Sequence, residues 1–417
     1  MWQMQFRLNV ARAVFGLIVV ALLACSPEVI LRELVGDSAT QTPTQIARAS
    51  TPTVLGVRVD PTAAAAATYS PTVTVIWQTP VVESTQTVTP SPTKTPAPLP
   101  LRADLPALTL RDFPRPANDN GRCIHFLADR VYYTPRDFEI QIPRMKDLQM
   151  RWVLAIYSDE NQLRLAAPQF KAAGIVPVWR RMLRANQKYF DWERDIKILN
   201  EVGLPPYFQL YNEPGNPEEW GGQEVNIEQW VESFVATAKD VYNAGGYPGL
   251  QVIDPDELRM VIAKIKSLKG DRLFRRMFFV PHAYALNHPP KYTEDENSVL
   301  GFRLYADIFQ QELGFVPPFI VGEGGWKIGE EQDNRFPKVD DALLAKYNVE
   351  LFNWFRPPGT LSTGEPLPDY LFAFCPWLIA SQTTAGAWYD SFEGERTALI
   401  QAVTKMGTFT RKFSWDK

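Results

Sequence analysis

The sequence predicts an α/β fold: a single (β/α)8 barrel, with parallel strands at its centre and a helix after each. Three observations predict it. Beyond Leu101, strand-like and helix-like segments alternate eight times. The strand-like segments are near-continuous apolar runs, as expected when helices cover both faces of a parallel sheet. The repeats occupy roughly 290 residues, the size of such a barrel with modest insertions. An open doubly wound sheet uses the same alternation. No Gly-rich phosphate loop follows any strand, so the nucleotide-binding use of such a sheet has no support.

In order, residues 123–127 form the first predicted strand, with a helix near 135–148. Residues 152–157 are the second, with a helix from about 161 to 173. Residues 175–179 are the third, with a helix near 191–202. The fourth ends in Tyr211-Asn212-Glu213-Pro214, and 227–244 is a long amphipathic helix after it. The fifth is 250–254 with a helix at 255–269, and the sixth is 277–284 with a helix near 299–313. The seventh runs from Phe319 to Glu323, with a helix near 340–354. The eighth is 371–380, followed by a helix at 396–406.

The barrel is expected at residues 105–417, behind two segments that do not belong to it. Arg7 and Arg12 precede an apolar run that ends in Leu22-Leu23-Ala24-Cys25. A basic start, a short apolar middle and small residues describe a secretory signal over residues 1–25. Its end resembles a bacterial lipobox, in which Cys25 becomes the lipidated first residue; simple secretion and an uncleaved anchor are the alternatives. Residues 26–104 are rich in Thr, Pro, Ala, Ser and Val, and Thr-Pro-Thr or Ser-Pro-Thr recurs at 42–44, 51–53, 70–72 and 91–93. Such a stretch buries too little apolar surface to offset its ordering entropy, and it is read as a disordered linker. The expected setting is the exterior of a bacterial cell, secreted or tethered to the membrane by lipid.

Composition narrows the partners. The net charge of −4 gives no basic surface for nucleic acid. Three histidines and three cysteines form no cluster with metal-ligand spacing, so no metal or other cofactor is expected. Cys123 and Cys375 fall on the first and last strands, which are neighbours in a closed barrel; a disulfide is geometrically possible, and two buried thiols are the favoured reading. Twelve tryptophans suit a protein that stacks flat ligands, sugars included, although at least half are expected in the core. A monomer is expected.

Barrel active sites gather at the carboxyl ends of strands. Those ends supply His125 and Asp129, Asp159 and Glu160, Trp179 with Arg180 and Arg181, Asn212 and Glu213, Asp254, His282 and Tyr284, Glu323 and Trp326, and Trp377. Glu213 and Glu323 each end an apolar run that Pro or Gly then breaks. Cleaving a glycosidic bond needs two carboxyl groups facing each other across a sugar. Glu218, Glu219, Glu330 and Glu331 lie in polar loop runs and are expected to be solvated.

The constellation resembles clan A glycoside hydrolases, most closely the general pattern of family 5. Asn212-Glu213-Pro214 on the fourth strand looks like the acid/base motif of that clan. His282-Ala283-Tyr284 on the sixth looks like its His-x-Tyr pair, and Glu323 ends the strand that carries its nucleophile. Trp377 fits the tryptophan that floors the sugar site. The resemblance spans about residues 122–406. The clan's usual strand-two arginine is not visible, and Arg180 or Arg181 would have to stand in for it.

The resemblance implies a retaining β-glycoside hydrolase acting on a β-glucan or β-mannan. Glu323 would be the ionised nucleophile, with Tyr284 donating to it. Glu213 would protonate the leaving oxygen and then serve as base for water. Asn212 would bond the sugar 2-hydroxyl, and His282 would orient hydroxyls or Glu213. His125 and Arg180 complete the expected sugar contacts, and Trp179, Trp220, Trp326 and Trp388 are candidate walls of further subsites. Two other readings keep the sequence features: a non-catalytic carbohydrate-binding lipoprotein on the same barrel, and a two-lobed solute-binding lipoprotein.

Overall fold

The computed structural model describes residues 97–416. The signal-like segment with Cys25, and the linker up to residue 96, lie outside the described residues. The chain forms α1 (Pro135–Asp147), β1 (Trp152–Tyr157), α2 (Glu160–Ala173), β2 (Val176–Arg181), α3 (Trp192–Val202) and β3 (Tyr207–Gln209). It continues with α4 (Ile227–Asn243), β4 (Tyr247–Leu250), α5 (Pro255–Ser267), α6 (Asp271–Phe274), β5 (Phe278–Phe279) and β6 (His282–Tyr284). The last part holds α7 (Phe302–Leu313), β7 (Phe319–Val321), β8 (Glu323–Gly325), α8 (Asp341–Asn353), β9 (Leu371–Phe374) and α9 (Thr397–Lys405).

Seven strands form one parallel sheet in the order β1-β2-β3-β4-β5-β7-β9. Both of its edges reach the same segment, because Arg122 bridges to Phe374 of β9 and His125 bridges to Leu154 of β1, each in parallel. The sheet is thus curled on itself with helices in the connections, a TIM-barrel-like α/β arrangement. The first predicted strand is present only as those two bridges. Its backbone divides its hydrogen bonds, with Cys123 N donating to Phe374 O and Phe126 N to Leu154 O, so neither ladder runs long.

Cys123 and Cys375 are joined in a disulfide across this seam, with Cα atoms 4.2 Å apart and 252 residues between them in sequence. This corrects the expectation of two free thiols. It links the first and last staves of the curled sheet.

Strand periodicity divides the core in two. Trp152, Leu154, Ile156, Val176, Val178 and Tyr207 belong to one buried cluster. Their sequence neighbours Val153, Ala155, Tyr157 and Phe208 belong to another, which also contains the apolar faces of the helices. Alternate residues on a strand point to opposite faces, so the first cluster fills the inside of the curl and the second lies under the helices. Phe113, Phe372 and Phe413 pack into the inner cluster, and Arg115 lies 4.0 Å from the centre of the Phe413 ring. The amino-terminal end of the sheet is therefore filled with aromatic side chains.

Three differences from the sequence reading have local causes. The fifth strand begins at Tyr247 rather than 250, in a Gly246-Tyr247-Pro248-Gly249 stretch whose composition signals a turn. The sixth and seventh are each cut in two. Pro281 has no N–H for a ladder, and its carbonyl accepts from Gly322 N at 3.1 Å. Beyond that point β6 and β8 pair with each other, placing His282 opposite Glu323 and Tyr284 opposite Gly325. Last, residues before 105 are already anchored to the domain. Leu99 and Leu101 pack on the outer core, Leu99 N donates to Leu268 O, and Arg102 N donates to Asn243 Oδ1. Among the described residues, no helix is long and apolar enough to cross a membrane.

Candidate active site

The inner face of the strands turns polar at its carboxyl end. Register places Ile156 opposite Arg180, and Arg180 opposite Gln209. Two residues earlier, Leu154, Val178 and Tyr207 form an apolar inner layer, so Arg180 and Gln209 lie one layer higher on the same face. Arg181 points to the other face, where its Nη1 lies 3.6 Å from Asp195. This parity decides which arginine can reach the site.

Two glycines allow the second glutamate to enter. A Cβ on Gly322 would lie 2.6 Å from Val280 Cγ1 and 2.8 Å from Leu154 Cδ1, and one on Gly324 would lie 2.4 Å from Ala283 O. Only glycine permits that approach of β8 to β6 and to the inner layer. The first glutamate follows β3 through a tight reversal, with Tyr211 at φ 76° and Glu213 at φ 29°. Positive φ at residues with side chains is strained and persists where the surroundings over-determine it. Here Glu213 N donates to Gln251 Oε1, and Trp220 Nε1 donates to Pro214 O at 2.7 Å.

The two carboxylates converge. One oxygen from each of Glu213 and Glu323, together with one His282 ring nitrogen, lie within 4.8 Å of one another. Glu323 Oε1 accepts from Arg180 Nη1 at 2.8 Å, and Glu323 Oε2 accepts from Tyr284 Oη at 3.1 Å. Glu213 Oε1 lies 2.7 Å from His282 Nδ1, and Asn216 Nδ2 donates to Glu213 Oε2 at 3.3 Å. The Glu213 side chain is 22% exposed and that of Glu323 only 9%, so the first meets solvent and the second forms the floor.

The electrostatics separate the neighbouring groups. Burial by itself would raise Glu323, but the charges of His282 and Arg180 and the Tyr284 hydroxyl outweigh it and hold the carboxyl well below the ordinary range. For His282, burial opposes the charged form, yet the nearby Glu323 and Glu213 carboxylates raise it overall. His125 differs: burial lowers it to about 4, so it is neutral near pH 7. Its Nε2 is 3.6 Å from Glu323 Oε1, a contact that would be an ion pair only with a protonated ring. Its Nδ1 is 2.8 Å from Phe126 O, which fixes the proton there.

A pH dependence follows. A depressed Glu323 contributes stability above its unfolded value, about 4.3, and that contribution is lost as pH falls through the folded value. A raised His282 contributes below its unfolded value, about 6.5, and loses that contribution as pH rises through its folded value. Melting temperature against pH should therefore fall below about pH 4.3 in the native protein, with that component missing in Glu323→Gln. Parallel curves for the two proteins would contradict the charge assignment.

The tryptophan expectations need correcting. Trp179 is fully buried, with its ring 5.8 Å from that of Phe170 and 6.1 Å from that of Tyr157 under the helices. Trp326, Trp220 and Trp388 are buried as well, Trp326 with its Nε1 donating to His288 O. A sugar needs an exposed ring face, which these four lack. Trp377 is half-buried, and its ring lies 4.7 Å from that of His125, whose Nε2 is 3.6 Å from Glu323. Trp377→Ala should raise KM by roughly tenfold, about 1.4 kcal/mol, with the fold intact. Trp179→Ala should instead cost about 3–5 kcal/mol of stability in denaturant unfolding. The reverse pattern would move the sugar wall to Trp179.

Other strand-end residues serve the scaffold. Asp159 and Asp254 accept from backbone N–H groups and cap α2 and α5. Glu160 pairs with Arg194, and Asp129 accepts from Ser381 Oγ at 3.0 Å. Glu218 and Glu331 are exposed as expected, but Glu219 and Glu330 are half-buried. Glu219 Oε1 accepts from Asn212 Nδ2 at 2.7 Å, and burial raises its carboxyl. Glu330 Oε2 accepts from Lys327 N at 2.9 Å, and burial pushes its carboxyl up to about 7. Sequence reasoning also passed over Tyr132, Phe190 and Phe392, which are 59%, 78% and 62% exposed on loops after strand carboxyl ends. The signal was present, since each is an aromatic residue in a polar loop.

Glu213, His282 and Glu323 are close enough to share a metal ion. The fit is poor, because Glu323 Oε1 is already bonded to Arg180, whose permanent charge would repel a divalent cation.

No protein-family model matches the chain, and no curated protein matches it. Among solved structures it is similar to AbfB, a family 51 α-L-arabinofuranosidase from Bifidobacterium longum, at 12% identity, covering 75% of this chain and 78% of that one with a TM-score of 0.44. It is similar to a D-psicose 3-epimerase from Clostridium cellulolyticum H10, at 12% identity, 68% and 96% coverage and a TM-score of 0.39. An endo-1,4-β-mannanase from Rhizomucor miehei gives 11% identity, 72% and 96% coverage and a TM-score of 0.35. With every score below 0.5, these likenesses do not discriminate among the chemistries of the proteins named.

Proposed function

We propose that the protein is a retaining β-glycoside hydrolase that cleaves β-linked glycans, β-glucan or β-mannan first among them, by double displacement. One observation carries the reading: the Glu213 and Glu323 oxygens lie within 4.8 Å of each other at the mouth of a curled parallel sheet. Retaining enzymes hold the carboxyls about 5–5.5 Å apart, and inverting ones leave about 6.5–9.5 Å for a water.

Roles follow from the surroundings of each carboxylate. Glu323, held ionised by His282, Arg180 and Tyr284, attacks the anomeric carbon. Glu213 delivers a proton to the leaving oxygen, oriented by the 2.7 Å contact of its Oε1 with His282 Nδ1. The bond to the leaving oxygen breaks as the glycosyl ester with Glu323 forms. Glu213 then takes a proton from water, whose oxygen attacks the anomeric carbon and frees Glu323. Trp377 supplies the stacking face, and Tyr132, Phe190 and Phe392 are suited to more distant sugar units.

Export and tethering through Cys25 belong to the same proposal. The Cys123–Cys375 disulfide supports an oxidising compartment. Labelling of the native protein, but not of Cys25→Ser, by a radioactive fatty acid would test the anchor, and an unlabelled native protein would remove it.

The test of activity is a screen of aryl β-glycosides, soluble β-glucans, mannans and xylans in the presence of EDTA. Hydrolysis with retention of the anomeric configuration is expected. No hydrolysis of any substrate, with sugar binding retained, would favour a non-catalytic carbohydrate binder. Activity abolished by EDTA would favour a metal at Glu213, His282 and Glu323.

A further inference from the structure

A third carboxylate is wired to the nucleophile. Glu219 lies in the short helical turn Pro217–Trp220 that follows Glu213. Its Oε1 accepts from Asn212 Nδ2 at 2.7 Å. Asn212 Oδ1 accepts from Arg180 Nη1 at 2.8 Å and from Gln209 Nε2 at 3.2 Å. Arg180 Nη1 also donates to Glu323 Oε1 at 2.8 Å. The polarity of the Asn212 amide is set from both ends, by a carboxylate on its nitrogen and a guanidinium on its oxygen. A reversed amide would place N–H against Arg180 and carbonyl against Glu219, an arrangement of like partners at both ends. The turn is itself pinned, since Ala185 N donates to Glu219 O and Trp220 Nε1 donates to Pro214 O.

We propose that Glu219 is a positioning residue: it holds the Asn212 amide so that Oδ1 keeps Arg180 on Glu323 and one Nδ2 hydrogen remains for a hydroxyl oxygen of the sugar. This rests on the glycosidase reading above. It adds that recognition of the sugar hydroxyl by Asn212 depends on Glu219, through the bond from Asn212 Nδ2 to Glu219 Oε1.

The experiment compares native protein, Glu219→Ala and Glu219→Gln on an aryl β-glycoside and its 2-deoxy counterpart, with a crystal structure of each variant. Glu219→Ala is expected to lower kcat by roughly 10–100-fold with KM changed by less than about threefold. Glu219→Gln keeps an acceptor oxygen and is expected to recover most of that loss. The penalty for removing the 2-hydroxyl, about tenfold or more in the native protein, should shrink below about threefold in Glu219→Ala. In the crystal, the Asn212 amide should leave Arg180 and the Arg180–Glu323 contact should open. An unchanged kcat overturns the proposal, as does an undiminished 2-hydroxyl penalty, or an Asn212–Arg180–Glu323 chain left intact in Glu219→Ala. Should the native protein hydrolyse no glycoside, the glycosidase reading falls, and the crystal structures still decide whether Glu219 holds the chain.

Discussion

Glu323→Gln is expected to lower kcat/KM on an aryl β-glycoside by roughly 10⁴–10⁶-fold, about 5–8 kcal/mol of transition-state stabilisation. The amide has the same shape and can still meet Arg180 Nη1 through its carbonyl oxygen. It lacks the charge and the nucleophilic oxygen that a covalent intermediate requires. Three polar groups now organised around an anion would face a neutral side chain: Arg180 at 2.8 Å, Tyr284 at 3.1 Å and His282 Nδ1 at 3.8 Å. Binding of an oligosaccharide should survive, because Trp377, Asn212 and His125 are untouched. Initial rates and a binding titration on the same preparation separate the two effects. A rate within about tenfold of native would mean that Glu323 is not the nucleophile.

Glu213→Ala is expected to split by leaving group. For a sugar leaving group, loss of the general acid should cost roughly 10²–10⁴-fold. For a dinitrophenyl glycoside, whose leaving oxygen needs no proton, the first step should be nearly unchanged. The covalent intermediate should then accumulate, because the base for water is missing. Added azide should restore turnover on that substrate and yield a β-glycosyl azide, since the space left by the Glu213 carboxylate admits a small anion. An equal loss on both substrates, with no response to azide, would remove Glu213 from the acid/base role. Its greater exposure, and a His282 Nδ1 contact of 2.7 Å against 3.8 Å for Glu323, are the features that distinguish it from Glu323.

Much of the architecture was legible because strands covered on both faces leave long apolar runs, and because Glu213 and Glu323 both stand where such runs stop. The fifth strand was misplaced because Gly246, Pro248 and Gly249 carry turn chemistry although Tyr247–Leu250 lies in the sheet. The choice between Arg180 and Arg181 could not be made from composition. It depends on which face of β2 looks inward, and only pairing with β1 and β3 settles that. Tryptophan abundance spoke for buried area rather than ring exposure, so Trp179, Trp326, Trp220 and Trp388 were offered to sugar although all four are packed inside. Glu219 was hidden for the opposite reason. A glutamate in a polar run gives no sign that a turn will fold it back onto Asn212. Barrel closure made the Cys123–Cys375 disulfide possible, but two thiols were favoured over it, because neighbouring strands do not by themselves place two Cα atoms as close as the 4.2 Å found.

The account stands on Glu323 forming a covalent bond to sugar with Glu213 beside it. A 2-fluoro β-glycoside with a good leaving group slows the breakdown of that ester enough to isolate it. Incubation, proteolysis and peptide mass analysis should place one fluoroglycosyl group on the peptide containing Glu323, with none in Glu323→Gln. Burst release of the leaving group should match the enzyme concentration. A label on any other residue, or turnover with inversion and no trapped ester, would contradict the double displacement.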